Sequence, residues 1–260
     1  MSSFAIQATT LVGQAEAAST TQDAYVHLKI NDYYVLYTSP KAPYVDKNNR
    51  LLIPLRSISE LLGATVGYDV TTKVASIEMN NKVVKYQVNS KKVTVDEADS
   101  TLDTVPVLYK GSIFIPLSSF VLNFGIKNEW SQNDKLYTLT GDNLMQSSLA
   151  KNWEEFDSFA SLPANNLNAF RPISYNYNTK KHTVTIKSQN ISGSDIAAGH
   201  EGVHPYFIFE ETVQYDDKSR PRPSVKKDEV VETIWNVKPV VINGVTQTLQ
   251  YILVQGRSLK

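Results

Sequence analysis

The chain has 260 residues, which is enough for one large domain or two domains of ordinary size. Its 26 basic and 26 acidic side chains cancel to a formal net charge of zero, which argues against a nucleic-acid-binding protein. It contains no cysteine, so disulfides and thiolate metal sites are excluded, and it has no run of about 18 apolar residues that could span a membrane.

The N-terminal segment, residues 1–22, is small, weakly apolar and free of charge until Glu16. Ala15-Glu16-Ala17 supplies the A-x-A pattern at which secretory signal peptides are cleaved, but a basic start and a strongly apolar stretch are missing. We therefore expect either the remnant of a signal peptide or a disordered arm. The first alternative predicts a protein that is secreted or associated with the cell wall.

Two stretches of the first half repeat each other. The landmarks that recur at one constant offset are Pro54 and Pro116, Gly63 and Gly125, and Tyr68 and Trp130. A fixed offset is the mark of a duplicated unit. We place the repeats at about residues 49–103 and 110–142, inside a domain that spans residues 25–142.

Each copy predicts a strand, a short helix and further strands. A strand over residues 51–53 leads into Pro54, which fits the first turn of a helix because its missing N–H would be unpaired there. One apolar helical face follows, made of Leu55, Ile58, Leu61 and Leu62. Gly63 then ends the helix. In the first copy, an alternating strand, a turn, another strand and a hairpin around Asn89-Ser90 follow the helix.

This repeat carries a family resemblance. The sequence NNRLLIPLR at Asn48–Arg56 is followed by LLGA at Leu61–Ala64 and by Tyr68-Asp69. The pattern, which returns from about Lys110, resembles the copper amine oxidase N-terminal-like domain found in exported proteins of Bacillus and Paenibacillus relatives. The resemblance covers about residues 25–142 and implies a non-catalytic, stalk-like domain that binds no copper.

The chemistry of the amine oxidases themselves would need other motifs. Their cofactor tyrosine lies within T-x-x-N-Y-[DE], and their copper site contains H-x-H. Asn176-Tyr177-Asn178 lacks both the threonine and the acid, and no H-x-H occurs in the chain. We therefore predict no amine oxidase activity and no cofactor.

The second half, residues 143–260, carries no family pattern. Leu149, Trp153, Phe156 and Phe159 recur at helical spacing and predict a helix over residues 147–161. Alternating strands follow, with a hairpin near Asn178 and a closing hairpin at Asn243-Gly244. The predicted fold class is therefore α+β. A duplicated strand–helix–strand–hairpin, stalk-like domain is followed by a mainly antiparallel β domain with one leading helix.

One pentapeptide suggests metal chemistry. His200-Glu201-Gly202-Val203-His204 fits H-E-x-x-H, in which two histidines one helical turn apart bind zinc and the glutamate activates water. This arrangement needs a continuous helix, but Gly202 weakens a helix and Pro205 keeps its neighbour out of helical conformation. We expect a chance match in a loop that enters a strand, and no metal site. His200, Glu201 and His204 stay the candidate ligands of the alternative, an extracellular zinc-dependent hydrolase.

Basic residues in a proline-rich segment form a second candidate site. They are Lys218, Arg220, Arg222, Lys226 and Lys227. Clustered cations attract anionic polymers, although a solvated loop tip explains the same residues. The sequence thus favours a non-enzymatic, secreted or cell-surface binding module of a Gram-positive bacterium, with cell-wall polymer or another extracellular protein as partner. The alternatives are the zinc hydrolase and a purely structural spacer in a surface assembly.

Overall fold

The computed structural model describes residues 22–23, 26–142, 144–145, 147, 149, 162–216 and 218–260. Two predicted segments lie mostly outside these described residues. They are the helix over residues 147–161 and the N-terminal arm, of which only Gln22 is described. Within the described residues, no helix has the length and apolarity that a membrane crossing requires.

The elements follow one another as short strands with two helices among the described residues. In the first half they are β1 (Gln22–Asp23), β2 (His27–Ile30), β3 (Tyr33–Tyr37), β4 (Tyr44–Val45), β5 (Leu51–Pro54), α1 (Leu55–Leu61), β6 (Thr65–Asp69), β7 (Val74–Met79), β8 (Lys82–Gln87), β9 (Lys92–Val95), β10 (Ala98–Thr101), β11 (Val107–Tyr109), β12 (Ser112–Pro116), α2 (Leu117–Phe124), β13 (Lys127–Ser131) and β14 (Leu136–Thr140). In the second half they are β15 (Ala164–Asn166), β16 (Phe170–Asn178), β17 (Thr183–Asn190), β18 (Glu201–Phe209), β19 (Val213–Gln214), β20 (Val230–Asn236), β21 (Val241–Ile242), β22 (Val245–Thr246) and β23 (Leu249–Leu259).

The described residues are mostly β, with 52% strand and 7% helix, so the predicted α+β class with a duplicated strand–helix–strand domain is wrong. The reason lies in the length of the helices that the structure describes. α1 covers seven residues and stops before Gly63, and α2 covers eight and ends at Gly125 in the left-handed conformation. Helices of about two turns cannot form a layer of their own, so the sheets set the architecture.

The two sequence repeats meet at their first strands and then diverge. β5 and β12 pair antiparallel with Ile53 opposite Ile115, so equivalent residues face each other across an approximate two-fold axis. β6 and β7 belong to a five-stranded sheet of order β10-β9-β8-β7-β6, whereas β13 and β14 belong to an eight-stranded sheet. The duplicated hairpins therefore have different neighbours.

The eight-stranded sheet contains strands from both halves of the chain. Its order is β13-β14-β2-β3-β23-β18-β19, and β15 pairs with β23. β3 pairs antiparallel with β23, with Val35 opposite Leu253, and β2 runs parallel to β14. The division into domains near residue 142 stays a prediction, and the two halves share the backbone hydrogen bonds of this sheet.

Both faces of the eight-stranded sheet are buried. Along β3, Tyr33, Val35 and Tyr37 enter one core, whereas Tyr34 and Leu36 enter the other. Successive side chains of a strand point to opposite faces, which explains why Tyr33–Tyr37 lacks the polar alternation of a half-exposed strand. The first core also receives α1, α2 and the five-stranded sheet, and the second receives the four-stranded sheet of order β1-β16-β17-β20.

Hairpins predicted from their turn residues are confirmed. β8 pairs with β9 around Asn89-Ser90, and β16 pairs with β17 beyond Asn178. β21 pairs with β22 across Asn243-Gly244, where both residues have the positive φ that a tight two-residue turn requires. The arms of this last hairpin are only two residues long, because β20 joins the four-stranded sheet and β23 joins the eight-stranded sheet.

Candidate functional site

The H-E-x-x-H pentapeptide lies on a strand. Glu201–His204 begin β18 and pair with β23, with His204 opposite Gln255, so the predicted loop is wrong at these residues. Positions four apart on a strand are separated by about 13 Å. Zinc ligands lie about 2 Å from the ion, so two of them must approach within roughly 4 Å. The backbone therefore holds His200 and His204 too far apart for one zinc ion.

Glu201 has a structural partner. Its Oε2 lies 2.6 Å from Arg220 Nη2, and its Oε1 accepts a hydrogen bond of 2.7 Å from the backbone N–H of Val203. The Arg220 guanidinium also donates to the Val203 carbonyl and lies 4.6 Å from the centre of the Trp235 ring. This buried ion pair ties the segment after β19 to the start of β18, and it occupies the carboxylate that would have to activate water.

The two histidines also make structural contacts. His200 Nδ1 lies 3.0 Å from the Leu259 carbonyl, and the backbone N–H of Leu259 donates to the His200 carbonyl. The His204 ring packs edge-on against Tyr206 and Trp235. Over the described ranges, no group of three or more histidine, aspartate or glutamate side chains is placed to hold a metal ion. The residues of the pentapeptide thus do not fit a zinc centre.

The structure does not arrange the basic residues as one patch. Arg220 points inward to Glu201, and Lys226 pairs at 3.0 Å with Asp195, which also accepts the backbone N–H of Lys227. Burial lowers the pKa of Arg222, and the neighbouring Arg220 lowers it further. Lys218 is exposed next to Asp216, whose Oδ1 accepts its backbone N–H. A polyanion contact at Lys218, Arg220, Arg222, Lys226 and Lys227 stays a prediction.

A cleft of about 530 Å³ opens between the two halves of the chain. One wall is α1, which presents Arg56 and Glu60 as an ion pair of 3.1 Å. The opposite wall is the end of β18 with the start of β23, where Glu210 accepts hydrogen bonds from Thr248 N and Gln250 Nε2. Such a volume falls within the range of about 300–1,000 Å³ that is usual for small-ligand sites.

The lining of the cleft combines an aromatic ring with balanced charge. Tyr68, next to the turn of the β6–β7 hairpin, is half-buried and lines the cleft together with Lys110. Among the described residues that line the cleft, two cations, Arg56 and Lys110, stand against two carboxylates, Glu60 and Glu210. A site with an aromatic wall, several hydrogen-bonding groups and no net charge suits an uncharged polar ligand that has apolar faces.

Sequence reasoning missed this cleft, although the repeat contained a signal for it. Tyr68 and Trp130 occupy equivalent positions of the two copies, but only Tyr68 lines the cleft. Trp130 is exposed on β13, where its ring packs at an angle on Tyr137 and its Nε1 donates to Gln132. Two equivalent aromatic residues with different surroundings offer a matched pair for experiments.

A half-buried histidine, His27, begins β2 beside Arg171 and Asp134. Burial, with the nearby Arg171 guanidinium, lowers the pKa of His27 from 6.5 to about 4, although the Asp134 carboxylate acts in the opposite direction. Arg171 and Asp134 form an ion pair, and Arg171 also donates to Gln189. Within the described residues, His27 Nδ1 has no hydrogen-bond partner. The fold therefore holds His27 in its neutral form at neutral pH.

The lowered pKa makes stability depend on pH in a defined window. Between pH 6.5 and about 4, His27 binds a proton in the unfolded chain but stays unprotonated in the folded chain. The free energy of unfolding therefore falls as the pH falls. We expect a loss of about 3 kcal/mol across this window. Urea unfolding at pH 7 and pH 4.5 measures it. His27→Gln should remove most of this pH dependence, whereas His182→Gln, at an exposed position, should keep it. If the free energy of unfolding changed equally between the two pH values in all three proteins, the assignment to His27 would be contradicted.

Comparison with known families assigns the first half of the chain. Residues 20–139 match the family model of the copper amine oxidase N-terminal domain, and the C-terminal half has no family match. No curated protein and no solved structure matches the chain. The matched domain is a non-catalytic part of the copper amine oxidase family. Residues 20–139 of this protein are thus similar to the copper amine oxidase N-terminal domain.

Proposed function

We propose that the protein is a non-enzymatic binding module, secreted or associated with the cell wall of a Gram-positive bacterium, which binds wall glycan in the cleft between its two halves. Three features of the chain support this proposal. The first half is a non-catalytic domain by family, the chain has no cysteine, and Ala15-Glu16-Ala17 offers a signal-peptide cleavage pattern.

The side chains that line the cleft are the reason for proposing a glycan as the ligand. A sugar ring has one apolar face, which stacks on an aromatic ring, and an edge of hydroxyl groups, which donate and accept hydrogen bonds. Tyr68 supplies the ring, and Gln250 with the charged pairs of both walls supplies the polar groups. The balance of charge disfavours an anionic polymer in the cleft, and Lys226 and Lys227 do not line it, which separates the two binding hypotheses.

Matched substitutions test the site. Tyr68→Leu keeps apolar volume next to the first core but removes the aromatic face, so we expect it to weaken binding to purified sacculi and to soluble peptidoglycan glycan chains about tenfold. Trp130→Leu removes the equivalent exposed ring and should change the affinity by less than about twofold. Sedimentation with sacculi and calorimetric titration with the soluble chains measure both effects, and thermal unfolding checks that each variant is folded.

Each other outcome selects a different function. Failure of the wild-type protein to bind sacculi or soluble glycan would overturn the proposal in favour of a structural spacer. Binding lost in Trp130→Leu but kept in Tyr68→Leu would move the site to the exposed face of β13. Binding that requires teichoic acid on the sacculi and disappears in Lys226→Glu would point to the basic residues instead.

A further inference from the structure

Lys29 is a buried amine in an unusual setting. It lies on β2 with 8% of its surface exposed, and its Nζ donates a hydrogen bond to Asn168 Oδ1. The ring of Tyr34, directly opposite on β3, covers it at 5.3 Å. Lysine is rarely buried unless a carboxylate compensates its charge; here the hydrogen-bond partner is a neutral amide, and the Asp32 carboxylate acts on the amine only electrostatically. The contact needs an explanation beyond packing.

We propose that Lys29 and Asn168 form an intramolecular isopeptide bond. The Nζ of Lys29 attacks the side-chain carbonyl carbon of Asn168, the bond from this carbon to Nδ2 breaks, and ammonia leaves with the proton that Nζ gives up. The product is a neutral secondary amide. The reaction balances without an oxidant, a reductant or any further reactant.

The geometry supports both reacting groups. An amine that hydrogen-bonds to an amide oxygen is close to the carbonyl carbon, which is about 1.2 Å from that oxygen. Burial lowers the pKa of Lys29, which increases the fraction of the unprotonated amine that can attack. The Asp32 carboxylate, in the turn between β2 and β3, raises this pKa in opposition to the larger effect of burial, which shows that it is near enough to act electrostatically on Lys29. We assign it the transfer of the proton from Nζ to the leaving nitrogen.

Formation of the isopeptide bond would also remove the unfavourable buried charge of Lys29 from the folded protein. An ammonium with little access to water is unfavourable beside a neutral partner, and the secondary amide removes that charge. The bond would join β2 to the turn before β16, across 139 residues and between the two halves of the chain. A chain without cysteine has no disulfide for this purpose. A covalent link between the halves suits a protein that works outside the cell, although the inference does not depend on the proposed glycan site.

Mass spectrometry of the full-length protein tests the bond directly. We expect the denatured wild-type protein to be lighter than its sequence by the mass of one ammonia molecule. Lys29→Arg and Asn168→Ala should each show the full sequence mass. Lys41→Arg is the matched control, because burial also lowers the pKa of Lys41 but its amine lies against the Tyr44 and Tyr109 rings and not against an amide; this variant should keep the loss. Asp32→Asn should slow or abolish it.

Peptide mapping makes the outcome unambiguous. A succinimide at Asn243-Gly244 would cause the same loss of mass, but it would not join two peptides. With the isopeptide bond, trypsin fails to cleave after Lys29, and the peptides that contain Lys29 and Asn168 appear as one branched species. Full sequence mass in the wild-type protein, or separate peptides with cleavage after Lys29, would overturn the proposal.

Discussion

Gly256→Ala is expected to lower the free energy of unfolding by about 3 kcal/mol or more. Gly256 lies in the middle of β23, where β16 of the neighbouring sheet comes into direct backbone contact. A Cβ at this position would lie 1.9 Å from the carbonyl oxygen and 2.8 Å from the carbonyl carbon of Phe170. Phe170 is fully buried, so its backbone cannot move away without disturbing the second core.

A second glycine provides the control. At Gly141 the nearest atom to an added Cβ is Leu144 Cγ at 3.4 Å, which is an ordinary contact. Gly141→Ala should therefore change stability by no more than about 0.5 kcal/mol. Urea unfolding of both variants gives the comparison, because the midpoint shifts with stability while the slope reports the surface exposed on unfolding. Equal midpoints for the two variants would show that the sheets do not meet at Gly256.

The turns of this protein could be predicted from sequence because their chemistry is local. Asn243-Gly244 and Asn89-Ser90 specify their hairpins through residues that tolerate or require unusual backbone angles. The sheet memberships could not be predicted in the same way. The side chain of Gln255 on β23 donates to the Tyr33 hydroxyl on β3, and the two residues are 222 positions apart. Alternation of apolar residues tells which strands are buried, but not which strands pair.

The duplicated unit shows where a correct local observation gave a wrong fold class. The constant offset from Pro54 to Pro116 marks equivalent strands, and these pair across an approximate two-fold axis. The helices that follow are too short to make the helical layer that an α+β class implies. The repeat drew attention to Tyr68, but the residues that line the cleft with it could not be predicted. Glu60 and Glu210 come from opposite halves of the chain and line the same cleft only because β3 and β23 join these halves in one sheet.

Gly202 and Pro205 argued against a helix at the pentapeptide, and Glu201–Phe209 is a strand, but the contacts of Glu201 could not be predicted. Its partner, Arg220, belongs to the basic segment for which the sequence left open a contact with an anionic polymer or a solvated loop tip. Only the fold brings the two side chains together and covers them with Trp235. A charged residue in a polar, proline-rich segment thus serves the interior of the protein.

This buried pair gives the second large expected effect. Arg220→Ala would leave the Glu201 carboxylate, which is 2% exposed, without its cation, and we expect a loss of about 3–5 kcal/mol in the free energy of unfolding. The arginine side chain is itself only 17% exposed, so water cannot readily replace it. The stranded charge causes most of the loss. Glu201→Gln in the Arg220→Ala background should therefore restore part of the stability, because an amide is easier to bury than a carboxylate.

An exposed ion pair on the same protein separates burial from charge. Lys187 and Glu232 lie 3.4 Å apart with about half of each side chain exposed, and Lys187→Ala should change stability by less than about 1 kcal/mol. Thermal and urea unfolding of the four proteins, wild type included, complete the test. Arg220→Ala with a loss no larger than that of Lys187→Ala would mean that water reaches Glu201. In that case the start of β18 would be open to solvent.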